Sequence, residues 1–365
     1  MLQSLFFFGP QGRTISGLFT HLCASVLFFG SACAGDGAFE AQPSTPVAPS
    51  PGEPGDSDPV EPVSPSPRSI LEIVRADPNL SLLSEALELT GLAETLAAPG
   101  AQFTLFAPSD SAFQEILDFL GFDTVAELAE EEMDTLRPGL RYHVVESRLM
   151  ANALVQGRSF VSSLEGPTIV LNNQSTEILV NDSELLEEFT DVVASNGVVH
   201  VINDTLYRPA VTDLVEWSGL DVFTRALAAT DLGEVLEDET FVFTVLAPTD
   251  SAFEAAYPEG LLLETEAEFA DFRELMLYHW LQREDARDAR EALTVARLLE
   301  LGSVQALIDV ERYLEFSRAA NGVIQVSDET GTAADFIHHD LIAINGVLHV
   351  IDRVLDPAVQ VDEAQ

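Results

Sequence analysis

Lysine is missing from this 365-residue chain: all 17 basic residues are arginines, set against 61 aspartates and glutamates, for a formal net charge of −44. Without a basic face the chain is a poor partner for nucleic acid, which is gripped through its phosphates, and for anionic lipid approached through a basic patch. The absence also removes Schiff-base lysines, the phosphate-loop lysine and Ser-x-x-Lys nucleophiles. Cysteine is almost as scarce. Cys23 and Cys33 are the only two, both near the N-terminus, so the body of the chain must hold together without disulfides. What is present is apolar material: hydrophobic residues make up 47%, too many for a wholly disordered chain. Six acids and two arginines fall in residues 1–68, leaving 55 and 15, a net −40, for residues 69–365. The folded part is therefore itself acidic. Two readings follow: a well-hydrated surface, or adaptation to a salty medium, where self-repulsion is screened.

The N-terminus carries Arg13 and then an uncharged run from Ile15 to Cys33 that includes Leu18-Phe19 and Val26-Leu27-Phe28-Phe29. A positive start followed by an apolar stretch reads as a secretory signal. Gly30-Ser31-Ala32-Cys33 resembles a bacterial lipoprotein processing site, which implies that Cys33 becomes a lipid-bearing first residue; Gly30 stands where such sites usually carry leucine. Plain cleavage after Ala32 or Ala34 and an uncut anchor of about 20 apolar residues are the alternatives. All three place the body outside the cytoplasm. Residues 34–68 hold nine prolines from Pro43 to Pro67 among Ser, Gly, Asp and Glu. They read as an extended tether of polyproline II character.

The remainder is a duplication. Phe103-Thr104-Leu105-Phe106-Ala107-Pro108-Ser109-Asp110-Ser111-Ala112-Phe113 returns as Phe243-Thr244-Val245-Leu246-Ala247-Pro248-Thr249-Asp250-Ser251-Ala252-Phe253. Tyr142-His143 returns as Tyr278-His279, and Asn196-Gly197-Val198-Val199-His200-Val201-Ile202 as Asn345-Gly346-Val347-Leu348-His349-Val350-Ile351. The units run over 69–209 and 210–357, with an acidic tail at 358–365. Within each, leucine spacing predicts short amphipathic helices around Leu80–Leu87 and Leu92–Leu96, and Phe103–Phe106 predicts a strand ended by Pro108. Ser111 with Gln114, and Ser251 with Glu254, fit a capping box. Met133, Leu136, Leu140 and His143 fall at helical spacing, as do Phe269, Phe272, Met276 and His279. Pro138-Gly139 predicts a break in the first of these helices. Strands follow at Thr168–Leu171, Ile178–Val180, Tyr313–Phe316 and Val323–Val326. Asn196-Gly197, Asn345-Gly346 and Asn321-Gly322 predict hairpins. The fold class is α+β: helices on a mostly antiparallel sheet, twice.

These three motifs, in this order and in both copies, resemble the fasciclin domain family over residues 69–357. The resemblance implies a β-sandwich-like wedge with helices along it, and an extracellular role in adhesion or in contact with matrix protein or polysaccharide, without catalysis. It implies candidate contact residues at Tyr142, His143, Tyr278 and His279, whose region is associated with receptor binding in related domains. It also implies Asp191-Val192 and Asp340-Leu341, where animal members carry an adhesion-linked aspartate and aliphatic. The flanking glutamate-proline is absent; Phe189-Thr190 and His338-His339 stand there instead.

Each candidate also has a plainer structural role. The Tyr-His histidines suit a helix end bonded to backbone. His200 and His349 suit half-buried strand positions, and the two aspartates suit turn caps. His338 and His339 point to opposite faces of a strand and do not share an ion, and no Asp-x-Asp-x-Asp-Gly calcium loop occurs. Asn173-Gln174-Ser175, Asn181-Asp182-Ser183 and Asn203-Asp204-Thr205 are glycosylation sequons by pattern, which a bacterial-type leader makes idle. No Gly-x-Ser-x-Gly, phosphate loop or His-Glu-x-x-His is present. The expectation is therefore a lipid-anchored, outer-membrane or cell-surface binding module without cofactor or metal, contacting an extracellular protein or polysaccharide. A periplasmic spacer protein and an unrecognised hydrolase are the alternatives.

Overall fold

The computed structural model describes residues 68–357 except 99, 175–176, 187–188, 239, 261–264, 283–291 and 309–311. The leader with Cys33, the tether and the tail lie outside the described residues.

The first domain opens with helices α1 (Ile70–Ala76), α2 (Ser81–Thr90) and α3 (Leu92–Leu96), then strand β1 (Phe103–Pro108). Helices α4 (Asp110–Leu120), α5 (Val125–Glu131) and α6 (Met133–Tyr142) follow. Strands β2 (Val144–Val145), β3 (Gly157–Ser162), β4 (Thr168–Asn173), β5 (Ile178–Val180), β6 (Ser183–Glu184), β7 (Val192–Ala194) and β8 (Gly197–Ile202) complete it. The second domain repeats the plan: α7 (Val211–Trp217), α8 (Asp221–Ala229), α9 (Leu232–Leu236), β9 (Phe243–Pro248), α10 (Asp250–Ala256), α11 (Glu266–Tyr278) and β10 (Trp280–Gln282). It ends with α12 (Val295–Leu301), β11 (Ser303–Gln305), β12 (Tyr313–Arg318), β13 (Ile324–Ser327), β14 (Ala333–Ile342) and β15 (Gly346–Ile351).

The sheet orders are β2-β1-β8-β7 and β3-β4-β5-β6 in the first domain, and β10-β9-β15-β14-β13-β12-β11 in the second. The Asn-Gly hairpins form as the sequence predicts, β7 with β8, β14 with β15 and β12 with β13. The sheets are mostly antiparallel, but the middle of each domain is a parallel pair: β1 with β8 from Phe103↔Gly197 to Pro108↔Ile202, and β9 with β15 from Phe243↔Gly346 to Pro248↔Ile351. Those four strands are buried along their whole length, the burial expected of parallel strands covered on both faces. Alternation divides them. Phe103, Leu105, Ala107, Val199 and Val201 face the helical core, while Phe106 and Ile202 face Ile169, Leu171 and Val180 of the second sheet. In the second domain Phe243, Val245 and Ala247 face the helices, and Leu246 and Ile351 face Leu314, Phe316 and Val326.

Two local expectations are corrected. The helices after Pro108 and Pro248 are capped not by Ser111 and Ser251 but two residues earlier. Ser109 Oγ accepts from Ala112 N–H and Thr249 Oγ from Ala252 N–H. Those residues hold extended φ/ψ, as an N-cap does, whereas Ser111 and Ser251 lie inside the first turn and share a hydrogen bond with the cap hydroxyl. Second, α6 runs unbroken through Pro138 to Tyr142. The proline leaves only the Asp134 carbonyl without its helical donor, and Asp134 is exposed to water, while Leu136, Leu140 and Tyr142 are buried on the inner face. Burial of that face outweighs one solvated carbonyl.

The domains meet through β3 and β4 of the first. Ile342 N–H donates to Thr168 Oγ1 at 2.8 Å, and Ile344 N–H to the Pro209 carbonyl at 2.9 Å. Arg158 Nε donates to the Trp217 carbonyl at 2.9 Å, and the Phe160 ring lies 4.7 Å from that of His338. Val170 belongs to the second domain's core.

Candidate functional site

The repeated motifs converge on a polar lattice that ties strands to helix ends, in the same way twice. Asn196, read from sequence as a turn residue, is buried; its Oδ1 accepts from Ile70 N–H at 2.9 Å and its Nδ2 donates to the Leu96 carbonyl at 2.7 Å. Asn345 does the same with Val211 N–H and the Leu236 carbonyl. One side chain thus satisfies an orphan donor at one helix start and an orphan acceptor at another helix end. Beside each asparagine, a Cβ on Gly197 would lie 2.0 Å from the Phe103 carbonyl oxygen, and one on Gly346 2.2 Å from that of Phe243. Only glycine admits the parallel strand so close.

Asp110 and Asp250 each begin one helix and cap another. Asp110 accepts from Leu82 N–H at 2.9 Å and Ser81 Oγ at 2.6 Å, and Asp250 accepts from Val222 N–H at 2.9 Å. They supply the caps that Leu80 and Leu220 cannot, since those N-cap side chains are apolar. These caps cross 28 residues of sequence, so no local spacing rule reveals them.

The Tyr-His candidates are interior. Tyr142 and Tyr278 have no exposed surface and His143 and His279 only 1%. His143 Nδ1–H donates to the Gly139 carbonyl at 2.8 Å, and its Nε2 accepts from Leu206 N–H at 2.9 Å. His279 repeats this with the Leu275 carbonyl and Leu355 N–H. Burial pushes both rings down to about 4, so they are neutral, one nitrogen donating and the other accepting. Tyr142 donates to the Thr168 carbonyl and accepts from Asn181 Nδ2. A ligand could reach these side chains only if the end of α6 or α11 opened.

Asp191 and Asp340 are the candidates nearest solvent. Both adopt left-handed backbone, φ 59° and 58°, which aspartate tolerates better than most residues. Asp191 Oδ1 accepts from Ala151 N–H and Asp340 Oδ1 from Val295 N–H, each at 2.7 Å. Their backbone N–H groups donate to Nδ1 of His200 and His349, each at 3.1 Å. His200 Nε2–H donates to the Leu149 carbonyl and His349 Nε2–H to that of Leu293. Both rings are fully buried rather than half-buried, and burial lowers their basicity, that of His349 to about 4. Val192 packs, half-buried, against the first core, and Leu341 lies inside the second.

A cleft of about 360 Å³ opens on the first domain between the α1–α2 connection (Asp77, Asn79) and the segment before β7 (Leu186, Phe189), over Ser109, Asp110 and Ser111. The sequence marked its floor as a motif but gave no sign of a cavity, because its walls come from segments more than 100 residues apart. Among the described residues no group of three or more His, Cys, Asp or Glu is placed to hold a metal ion, and no helix is long and apolar enough to cross a membrane.

Similarity to known proteins agrees with this architecture. The chain is 29% identical to human periostin over 191 residues, 51% of this chain and 21% of that protein. It is 29% identical to pig transforming growth factor-beta-induced protein ig-h3 over 278 residues, 72% of this chain and 35% of that one. It is 34% identical to Synechocystis protein sll1483 over 145 residues, 40% of this chain and 76% of that one. The chain thus matches about a fifth to a third of the length of the two animal relatives. The profile of the Fasciclin domain matches residues 78–208 and again 218–357; with the duplicated lattice of caps and buried histidines, this makes the chain a member of the fasciclin domain family, with two domains in tandem.

Proposed function

We propose that the chain is a non-enzymatic adhesion module, held at the cell surface by a lipid on Cys33 and carried on the proline-rich tether, that contacts extracellular protein or polysaccharide through exposed loops and domain faces. The observation that carries this reading is the match of the Fasciclin domain profile to two tandem regions, residues 78–208 and 218–357; the uncharged apolar run from Ile15 to Cys33, read as a secretory leader, supports it. The site chemistry supports it. The motif histidines, asparagines and aspartates are engaged in holding helices to strands, which leaves recognition to the surface. That surface is acidic and without lysine, so it suits neutral or cationic partners and repels anionic polymers.

Two measurements test this. Protease treatment of intact cells should remove residues 69–365 if they face outward; full protection would place the chain in the periplasm as a spacer instead. The purified protein applied to arrays of glycans and matrix proteins in low and high salt should show saturable binding to neutral or basic members. Hydrolysis of any arrayed polysaccharide would overturn the non-enzymatic reading.

A further inference from the structure

The two domains hold three Asn-Gly pairs: Asn196-Gly197, Asn321-Gly322 and Asn345-Gly346. An asparagine followed by glycine carries a chemistry of its own. Glycine has no Cβ to keep its nitrogen away from the preceding side-chain amide, so the two can close a five-membered imide. The fold treats the three pairs differently. Asn196 and Asn345 are 2% and 1% exposed, and each side chain is tied through both its oxygen and its nitrogen to helix backbone. Turning either amide toward the following nitrogen breaks two buried hydrogen bonds, in a place shielded from the water that completes the reaction.

Asn321 stands in the open. It lies in the loop Ala320-Asn321-Gly322 between β12 and β13, which Ala319 N–H closes on the Val323 carbonyl at 2.8 Å. All three loop residues are exposed. Gly322 holds the left-handed position, φ 89°, as glycine does in three-residue hairpin loops. Asn321 Oδ1 accepts from Val323 N–H at 3.1 Å. That bond folds the side chain back over the Gly322 peptide. It also sets a donor on the oxygen where negative charge develops when the amide carbon is attacked.

We infer that Asn321 is a site of covalent self-modification, at which the backbone nitrogen of Gly322 attacks the side-chain amide carbon. The nitrogen gives up its proton and bonds to Cγ; the Cγ–Nδ2 bond breaks and Nδ2 leaves as ammonia. Water then opens the imide at one of its two C–N bonds. Breaking the bond to Cγ leaves aspartate. Breaking the bond to the backbone carbon leaves isoaspartate, with the chain now running through the side chain. The net change is one water consumed, one ammonia released and one negative charge gained. Gly322 N–H donates to the Ala319 carbonyl at 2.8 Å, so that turn bond must open first; one exposed bond slows the attack by about tenfold at most. The new carboxylate arises in a loop that Arg318 Nη1 already reaches, at the Gly322 carbonyl. In the isoaspartyl form the loop is longer by one backbone atom, and the neighbouring pair of Arg318 with Ile324 should fray. The inference stands independently of the adhesion reading.

Hydroxylamine cuts a chain where such an imide forms. Applied to the folded full chain at alkaline pH, it should cut once, between Asn321 and Gly322, and release residues 322–365; in guanidinium chloride it should cut at all three pairs. Asn321→Gln should abolish the cut in the folded chain. Ageing the folded chain in mildly alkaline buffer should convert Asn321 to a mixture of aspartate and isoaspartate. The conversion should run about a hundredfold faster than at Asn196 or Asn345, which must wait for local unfolding. Trypsin leaves Asn321 and Asn345 on one peptide, residues 319–353, so fragment ions in mass spectrometry assign the site. A folded chain that hydroxylamine leaves whole, though it cuts the unfolded chain at all three pairs, overturns the inference. So do equal rates at the three pairs in the folded chain, or aspartate without isoaspartate at position 321, which would mean direct hydrolysis with no imide.

Discussion

Asp191 donates its backbone N–H to Nδ1 of His200 at 3.1 Å, and Asp340 does the same to His349 at the same distance. Protonation of either imidazole would turn that acceptor into a second donor facing a donor. His143 and His279 are in the same position with Leu206 and Leu355. A histidine held below its ordinary value lends stability that is complete above about 6.5 and is lost as the pH falls. For His143, His279 and His349 the loss runs down to about 4 and amounts to about 3 kcal/mol each once complete. Urea midpoints measured at pH 7.5, 5.5 and 4.5 should fall steeply, and less steeply in a His143→Met/His279→Met double variant. A flat profile would mean that these rings are not buried and neutral.

Asp213 should move the other way. Burial raises its carboxyl to about 7, against hydrogen bonds from Ala210 N–H and Tyr207 that favour the ionised form. Its ionisation therefore costs stability at high pH, and the cost shrinks as the pH falls below about 7, vanishing only near the ordinary aspartate value of 3.8. Asp213→Asn is expected to be more stable than the parent at pH 8, with the gap clearly narrowed by pH 5; a constant difference across that range would contradict this.

Asn196→Ala and Asn345→Ala each strand a buried N–H and a buried carbonyl. At about 1–3 kcal/mol for every unsatisfied group, each change should cost about 2–5 kcal/mol in chemical denaturation. Their effects should add, since the two asparagines lie in different domains. A cost below 1 kcal/mol would show that water reaches the site.

Gly197→Ala and Gly346→Ala drive a methyl group into a strand carbonyl at 2.0 and 2.2 Å. Backbone cannot yield there without parting the parallel strands, so a loss above about 4 kcal/mol or insoluble protein is expected. By contrast Gly139→Ala meets nothing within 4 Å and should be tolerated.

Salt should stabilise the tandem. Residues 69–365 carry net −40, and the Debye length shrinks to about 3 Å at 1 M salt. Surface pairs such as Arg297 with Glu300 weaken too, but each is worth under about 1 kcal/mol. The melting temperature should therefore rise between about 0.05 and 1 M NaCl. A flat or falling curve would show that the acids are compensated locally and would remove the physical basis for a saline habitat.

The repeat and the hairpin glycines were legible because strand alternation, Asn-Gly turns and leucine spacing are local signals. The cap on α4 was displaced by two residues because Ser109 and Ser111 both offer a hydroxyl, and only backbone conformation tells which one faces the helix. Pro138 misled because its local cost is certain while the compensating burial of Leu140 and Tyr142 is tertiary. Asp110 and Asn196 stood inside the recognised motifs, yet their partners Leu82 and Ile70 lie 28 and 126 residues away, and one sequence records no such pairing. The cleft was invisible for the same reason.

The parallel pairing at the centre of each domain also governs when that domain can form. β1 waits for β8, and β9 for β15, about a hundred residues later in each case. Asn196, which anchors the first helix, is only two residues closer to the N-terminus than the first valine of β8. Loop closure over such distances is slow and must precede its reward. As the chain is synthesised, neither domain can complete its core until its last strand has emerged, so the growing chain stays unfolded through almost the whole length of each repeat. The first domain can then close while the second is still being made, and its β3–β4 face, with Val170 and Phe160, is exposed until α7 and β14 arrive to cover it.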